Sequence, residues 1–329
     1  MSFSSRRCSR NQLVKELEPG LNALFGLEYK QYEQEHAEIY TTESSDRAFE
    51  EEVMLSGFAQ AQVKPEGSGV TYDSAQETFT ARYTHETIAL GFAITEEAIE
   101  DNLYDRLASR YTKALARSMA QTKQVKAAAP LNNGLPSGSF NSGDGVTLFN
   151  TAHPTVAGTF SNTLSTAADL NETSLEQAMI DIAALTDERG LKIAAKAVKM
   201  IIPSALQFTA DRLMNSAQRV GTADNDINAL RNMGMIPGGY TVNHYLTDTD
   251  AFYITTDVPN GMKHMERAPL TTKMEGDFDT GNVRYKARER YVFGVSDPRG
   301  IYASPGAKSI ILWRNTVPPQ SLNRKEKCP

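Results

Sequence analysis

A few short patterns in this chain carry residue types that could do chemistry. His36-Ala37-Glu38 has the HxE spacing in which a zinc-bound histidine stands beside a proton-moving glutamate. That metal site also needs a PCxxC run, and the sequence has none; its two cysteines, Cys8 and Cys328, lie near the chain ends. Asp279-Thr280-Gly281 matches the aspartic-protease tripeptide, a chemistry in which two carboxylates share a proton in an apolar cleft. Here Asn282, Arg284 and Lys286 follow at once, which suits the turn before a strand, with Asp and Gly supplying turn geometry. The glycine-rich stretch Asn133 to Gly145 lacks the lysine and following helix that a phosphate loop requires, so it reads as a flexible loop. No histidine among His36, His85, His153, His244 and His264 pairs with another at HExxH spacing, and there is no GxSxG elbow. Asn171-Glu172-Thr173 is a formal glycosylation sequon without a secretory signal to give it meaning. The motifs yield no catalytic residue, no cofactor site and no metal site; that the chain is not an enzyme is the expectation carried by the resemblance described below.

Composition agrees with a soluble globular protein. With 329 residues, 40% hydrophobic and 22% charged, the chain can bury a real core in one large or two ordinary domains. A net charge of −6 argues against a dedicated nucleic-acid binder, which carries a basic excess or patch. Cysteines confined to the ends argue against a disulfide framework and for a reducing compartment. No apolar run reaches the roughly 20 residues of a membrane span.

The elements around these residues are organised by one long stretch. Ile94 to Ala129 reads as a helix: apolar residues recur at Ile94, Ala98, Ile99, Leu103, Leu107, Tyr111, Leu115, Met119 and Val125. Thr95 is placed to cap it, Glu96, Glu97, Glu100 and Asp101 put negative charge near its start, and Pro130 is expected to stop it. Before it, residues 1–20 read as a polar arm ending at Pro19-Gly20, and 21–40 as a weak helix anchored by Leu24, Leu27, Tyr32 and Ile39. Such an arm serves either as a neighbour contact or as an ordinary surface helix. Val53 to Val63 leads into the turn Lys64-Pro65-Glu66-Gly67-Ser68-Gly69, Val70-Thr71-Tyr72 resumes a strand, and Thr78 to Phe92 is strand-like, which predicts a long two-stranded loop feeding the helix. A long two-stranded ribbon is marginal alone in water, so it is a candidate contact with another subunit, the alternative being a hairpin folded on its own domain.

Beyond the helix a mixed α/β body is expected. Thr173 to Arg189 is an amphipathic helix with Leu175, Met179, Ile182 and Leu185 on one face and Gly190 as its C-cap. Ala197 to Pro203 is a buried strand, Ser204 to Asn215 a helix capped by Ser204, and Tyr240 to Tyr245 and Ala251 to Thr255 are short strands. Val283 to Val295 alternates as a half-exposed strand, Asp297-Pro298-Arg299-Gly300 turns it, and Ile301 to Ala303 is the last strand.

Four stretches in this order carry a family resemblance: Lys64–Asp73 (KPEGSGVTYD), Arg82–Asp105, Leu148–Pro154 (LFNTAHP) and Phe278–Ser304. Together they resemble the major capsid protein of tailed bacteriophages, the Hong Kong 97 type, and most of all the branch that includes the head subunit of phage Mu. The resemblance spans roughly Asn11 to Ser304. It implies an α+β fold with an N-terminal arm at 1–48 and an extended loop at 49–92. A peripheral domain at 93–164 would hold a spine helix at 94–129, with an axial domain at 165–280, return strands at 281–305 and a tail at 306–329. Leu107 and Leu115 would then be core residues beneath the spine. The implied function is structural: hexamers and pentamers of the chain closing into an icosahedral head around double-stranded DNA, assembled in the host bacterial cytoplasm and ending in the virion. The implied partners are further copies of the chain, with scaffold, portal and decoration proteins. DNA would be touched weakly and non-specifically, and no membrane is involved. Lys64 lies near the loop tip, where some relatives cross-link, but no partner asparagine is identifiable and no cross-link is expected. A cellular encapsulin-type shell shares the fold and is the nearest alternative; the aspartic-protease reading of Asp279-Thr280-Gly281 is the alternative from another class.

Overall fold

The computed structural model describes residues 10–95, 97–98, 104–219, 226–277 and 281–307. Helix α1 (Arg10–Gln31) leads through a short turn to β1 (Thr41–Ser44). Strands β2 (Phe49–Leu55) and β3 (Glu77–Thr84) form a hairpin, followed by β4 (Glu86–Ile94) and the long helix α2 (Tyr104–Asn133). A small hairpin of β5 (His153–Thr155) and β6 (Gly158–Phe160) precedes α3 (Glu172–Ala183), β7 (Ala197–Ile202), α4 (Gln207–Asn215) and α5 (Ala229–Met233). The chain finishes with β8 (Tyr240–Val242), β9 (Phe252–Thr256), β10 (Met262–Gly276), β11 (Val283–Val295) and β12 (Ile301–Ser304).

Two four-stranded sheets carry the architecture, ordered β1-β10-β11-β4 and β12-β9-β7-β8. On β11, Val283, Tyr285, Ala287, Glu289, Tyr291, Phe293 and Val295 all face inward, while Arg284, Lys286 and Arg288 face solvent. That is the alternation the sequence shows, converted into two faces by the strand's period of two. Helices α1 and α2 cover the inner face: Leu21, Phe25, Ala108, Leu115, Ala116 and Met119 pack with Ile94, Val283, Tyr285 and Ala287. The second sheet separates two further cores. Phe252 and Ile254 of β9 pack with α3 and α4, while Ala251 and Tyr253 face the end of α2 at Ala127 and Leu131. Ile201 of β7, between Met200 and Ile202, turns the same way as Tyr253. Helix α2 thus joins the core beneath the first sheet to the core shared by both sheets. At 1.5 Å per residue it is about 45 Å long.

Several expectations need correction. Ile94 ends β4 and is not the first residue of the helix; Glu97 and Ala98 are helical, and residues 99–103 lie outside the described residues. Pro130 does not stop α2, which continues to Asn133. A proline near the C-terminal end costs one helical hydrogen bond, and burial of Leu131 beside Ile39 and Tyr253 offsets that loss. The buried face of α2 is also rotated from the stripe of bulky residues. Alanines 108, 116, 120, 127 and 128 are buried, whereas Tyr111 and Val125 are 45% and 49% exposed. Leu115 is buried as expected, but Leu107 is only half-buried. Small side chains let α1 approach α2 closely, and an alanine gives a weak signal in a search for large apolar residues.

The polar arm does not end at Pro19-Gly20, because α1 runs through both residues. It packs on its own chain: Leu21 and Phe25 are buried, Leu27 is 65% exposed, and Asn22 accepts hydrogen bonds from Thr272 and from the Tyr285 hydroxyl at 2.7 and 2.9 Å. Helix α3 stops at Ala183, six residues before the expected Arg189 (189 − 183). The Asp187 carboxylate accepts from the backbone N–H of Arg189 and Leu191, forming a local turn that competes with the helix. Gly190, at φ +82°, serves that turn and is not a helix cap. Ser204 opens a 3₁₀ turn and makes no cap, and α4 begins at Gln207. Strand β10, fifteen residues long, was not read from the sequence. Pro269 and the charges Lys263, Glu266 and Arg267 break its alternation, and the pairing with β11 shifts register on both sides of Ala268.

Candidate assembly surfaces

The strand-like run Thr78 to Phe92 is two strands of different allegiance. Up to Thr84 it pairs with β2; from Glu86 it pairs with β11 in the main sheet. His85 marks the break and is buried, its Nε2 at 2.9 Å from Ser45 Oγ, which donates to Glu50 at 2.7 Å. Burial first, then the nearby Arg290 charge, lowers the His85 pKa. The hairpin base is held in other ways as well. The Tyr83 hydroxyl hydrogen-bonds Ser296 Oγ, and its ring lies so close to Gly294 that a Cβ there would overlap it. Lys263 pairs with Glu52 and, at 3.3 Å, with Glu43. The Arg82 guanidinium lies 4.2 Å over the Phe49 ring.

The far part of the hairpin is different. Every residue from Ala61 to Glu77 is exposed, and none before Glu77 pairs as a strand. Val63 and Tyr72 are 94% and 93% exposed, with Phe58 and Val70 also in solvent. Its described tethers to the body are the Arg189 guanidinium on the Ser74 carbonyl at 2.7 Å and on Asp73 at 3.5 Å. Lys64 sits exposed beside the Pro65–Ser68 turn. The arrangement is a rigid base carrying an unpaired, partly apolar limb.

The arrangement closest to catalysis lies elsewhere and was missed in the sequence. His153 is fully buried, with Nδ1 2.6 Å from Asp144 Oδ2 and Nε2 3.0 Å from Asn162 Oδ1. Ser142 hydrogen-bonds the Asp144 carboxylate and not the histidine, so no hydroxyl is placed to be activated as a nucleophile. Burial pushes the Asp144 pKa up, but hydrogen bonds from His153 and Ser142 outweigh it and hold the carboxyl below its usual range. Asn162 also donates to the Leu148 and Pro298 carbonyls at 2.7 and 3.0 Å. Beside it, buried Arg299 bonds Glu188, Asp297 and the Thr186 carbonyl and lies 4.1 Å over the Phe160 ring. These groups tie loop 142–163 to the turns at 186–188 and 297–299; their role is structural.

The other flagged residues are dispersed. His36 is buried against His264 and Phe293, while Glu38 pairs at the surface with Lys199 at 3.1 Å, so the HxE pattern forms no site. Among the described residues, no group of three or more His, Cys, Asp or Glu could hold a metal ion. Asn171 caps α3, accepting from the Ser174 N–H at 2.8 Å while Ser174 Oγ accepts from the Asn171 N–H. The Asp279-Thr280-Gly281 tripeptide belongs to the β10–β11 connection, where the Asp277 N–H donates to the Asn282 carbonyl and the Gly281 N–H to the Asp277 carbonyl. Asp279 and Thr280 themselves, like Cys8 and Cys328, lie outside the described residues. His244 pairs with Glu35 at 2.7 Å on the surface.

Arm helix, pinned hairpin, spine-like α2 and two sheets together make the α+β fold of Hong Kong 97-type capsid proteins. The structure is similar to a virus-like particle protein from Pyrococcus furiosus, with a TM-score of 0.51 at 10% identity, covering 86% of this chain and 97% of that one. It is also similar to the capsid protein of a native GTA particle, with a TM-score of 0.50 at 14% identity, covering 83% of this chain and 90% of that one. At these identities the likeness establishes the fold. No individually curated protein matches the chain in sequence. A family model described as phage capsid protein matches residues 77–304, and the chain belongs to that family. It is a structural protein of a phage capsid, not an enzyme.

Proposed function

We propose that this chain is the major capsid subunit of a tailed phage of the Mu-like branch, closing as hexamers and pentamers into an icosahedral head around double-stranded DNA. The observation that carries this reading is the hairpin. Its base is fixed by buried hydrogen bonds and ion pairs, while its far limb exposes Phe58, Val63, Val70 and Tyr72 without strand pairing, which costs free energy in an isolated subunit and suits contact with a neighbour. Heterologous contacts of that kind generate closed rings, and several per subunit generate a shell. Residues 1–48 serve as the arm and the β2–β3 hairpin as the extended loop; the sheet β1-β10-β11-β4 with α2 serves as the peripheral domain and the sheet β12-β9-β7-β8 with α3 and α4 as the axial domain, which moves β10 and β12 across the bounds of 165–280 and 281–305 expected from the sequence. Scaffold, portal and decoration proteins are the further partners. Assembly takes place in the bacterial cytoplasm, and the mature product is the virion head.

A cellular encapsulin-type shell is the second reading, since the likeness to the Pyrococcus furiosus virus-like particle protein establishes the fold alone; the phage capsid family match favours the head. Purified particles from infected or induced cells separate the two. Nuclease-protected double-stranded DNA is expected for a head; an enzyme cargo with no protected DNA would reject it.

A further inference from the structure

The chain leaves strand β12 along the wall of an open cavity. Ser304 Oγ donates to the Ala168 carbonyl at 2.7 Å, and the Ala307 N–H donates to Asp169 Oδ1 at 2.7 Å. Between them Gly306 takes φ +69° and lies so close to Asp250 that a Cβ there would overlap it. Pro305 lines a cavity of about 660 Å³ together with Asn132, Leu135, Pro136, Asp248 and Asp250. Asp248 accepts from the Asp250 N–H at 3.1 Å and Asp250 from the Thr249 hydroxyl at 3.4 Å. Among the described residues neither carboxylate has a cationic partner. The cavity therefore has an apolar wall, from Leu135, Pro136 and Pro305, and an acidic one. Just beyond Ala307 the sequence runs Lys308-Ser309-Ile310-Ile311-Leu312-Trp313-Arg314, which lies outside the described residues.

We infer that the run Ile310–Trp313 folds back into this cavity of its own chain, with Lys308 and Arg314 beside Asp248 and Asp250. Three observations select this occupant. The first is reach. Trp313 is six residues past Ala307 (313 − 307), at most about 20 Å of extended chain, and the cavity wall already begins at Pro305. The second is apolar surface. Four consecutive apolar residues left in water cost free energy, and the wall of Leu135, Pro136 and Pro305 offers them cover at the point where the chain emerges. The third is charge. Residues 308–329 carry Lys308, Arg314, Arg324, Lys325 and Lys327 against Glu326, a net +4 (5 − 1), which leaves −10 on residues 1–307 (−6 − 4). The tail is thus drawn to an acidic body, and the two cations nearest the apolar run bracket it. The contact lies within one chain, so it stands apart from the shell reading.

Trp313 is the single tryptophan of the chain, so its fluorescence reports on the tail directly. In the full chain its emission should be blue-shifted from that of the urea-unfolded protein, with acrylamide quenching roughly fivefold weaker. Asp248→Asn combined with Asp250→Asn should raise the quenching roughly twofold at unchanged subunit melting. A photoreactive benzoylphenylalanine in place of Leu312, in a mixture of isotopically light and heavy copies, should cross-link to residues 132–137 or 247–250 of the same copy. An unshifted, freely quenched Trp313, unchanged quenching in the double variant, or cross-links elsewhere or between copies would each overturn the inference. Protection of Trp313 only when double-stranded DNA is added would assign the tail to nucleic acid and overturn it as well. Closed particles formed in any of these cases leave the shell reading standing.

Discussion

At the residue scale, the informative groups are buried polar ones that do structural work. His264 stacks on Phe293 at 4.5 Å between centroids, with His36 5.5 Å from both rings, and Lys123 reaches Glu289 at 3.5 Å nearby. Burial, then the Lys123 charge, lowers His36 to about 4 and His264 to about 3. Burial also raises the Glu289 carboxyl, against the pull of Lys123. For each histidine the folded pKa lies below the unfolded 6.5, so the neutral ring's fit is fully retained above pH 6.5 and is lost as pH falls toward 4. His36 alone should cost roughly 2 kcal/mol by pH 4.5. Urea midpoints at pH 7 and 4.5 should show that fall, reduced in His36→Gln; an unchanged fall in that variant would contradict the assignment. None of this was legible in the sequence. Glu289 and Lys123 look like surface charges in any pattern count, and only the meeting of β10, β11 and α2 brings them together.

At the element scale, two predictions follow from how the hairpin and α2 are held. Replacing Lys263→Met removes the partner of Glu52 and Glu43 at the hairpin base. Amide exchange in residues 49–55 and 77–84 should rise roughly tenfold, with α3 and β7 unchanged; uniform exchange across the chain would contradict the local role. Leu115→Ala opens the core between α1, α2 and the sheet and should cost about 2–4 kcal/mol, whereas half-buried Leu107→Ala should cost about 1. Equal losses in denaturant melts would contradict the observed helix phase. Strongly patterned elements were readable in advance: the α3 face Leu175, Met179 and Ile182 is buried, with Leu185 buried just past the helix end, and β11 alternates as written. Elements were misjudged where local chemistry overrode the pattern. The Asp187 turn shortened α3, Pro269 concealed β10, and His85 divided a continuous strand signal into β3 and β4. The Asp144–His153–Asn162 chain had no spacing motif to reveal it, since its partners are chosen by loop packing.

At the scale of the whole molecule, the folded body explains its own core but not its exposed limb. The arm helix α1, an even choice between neighbour contact and surface helix in the sequence, covers α2 and β10 of its own chain through Leu21, Phe25 and the Lys113–Glu28 pair at 2.6 Å. Among the described residues, 61–76 have no strand partner, their contacts with the body being those of Arg189 with Asp73 and Ser74, and the outer edge of β4 has none. On the shell reading, further copies of the chain supply contacts to these surfaces. Electron microscopy of the purified chain, with sizing by light scattering across a concentration series and with scaffold supplied, tests that claim most directly. Closed particles, or hexamers and pentamers on the way to them, are the predicted result; a strictly monomeric chain at every concentration would contradict it.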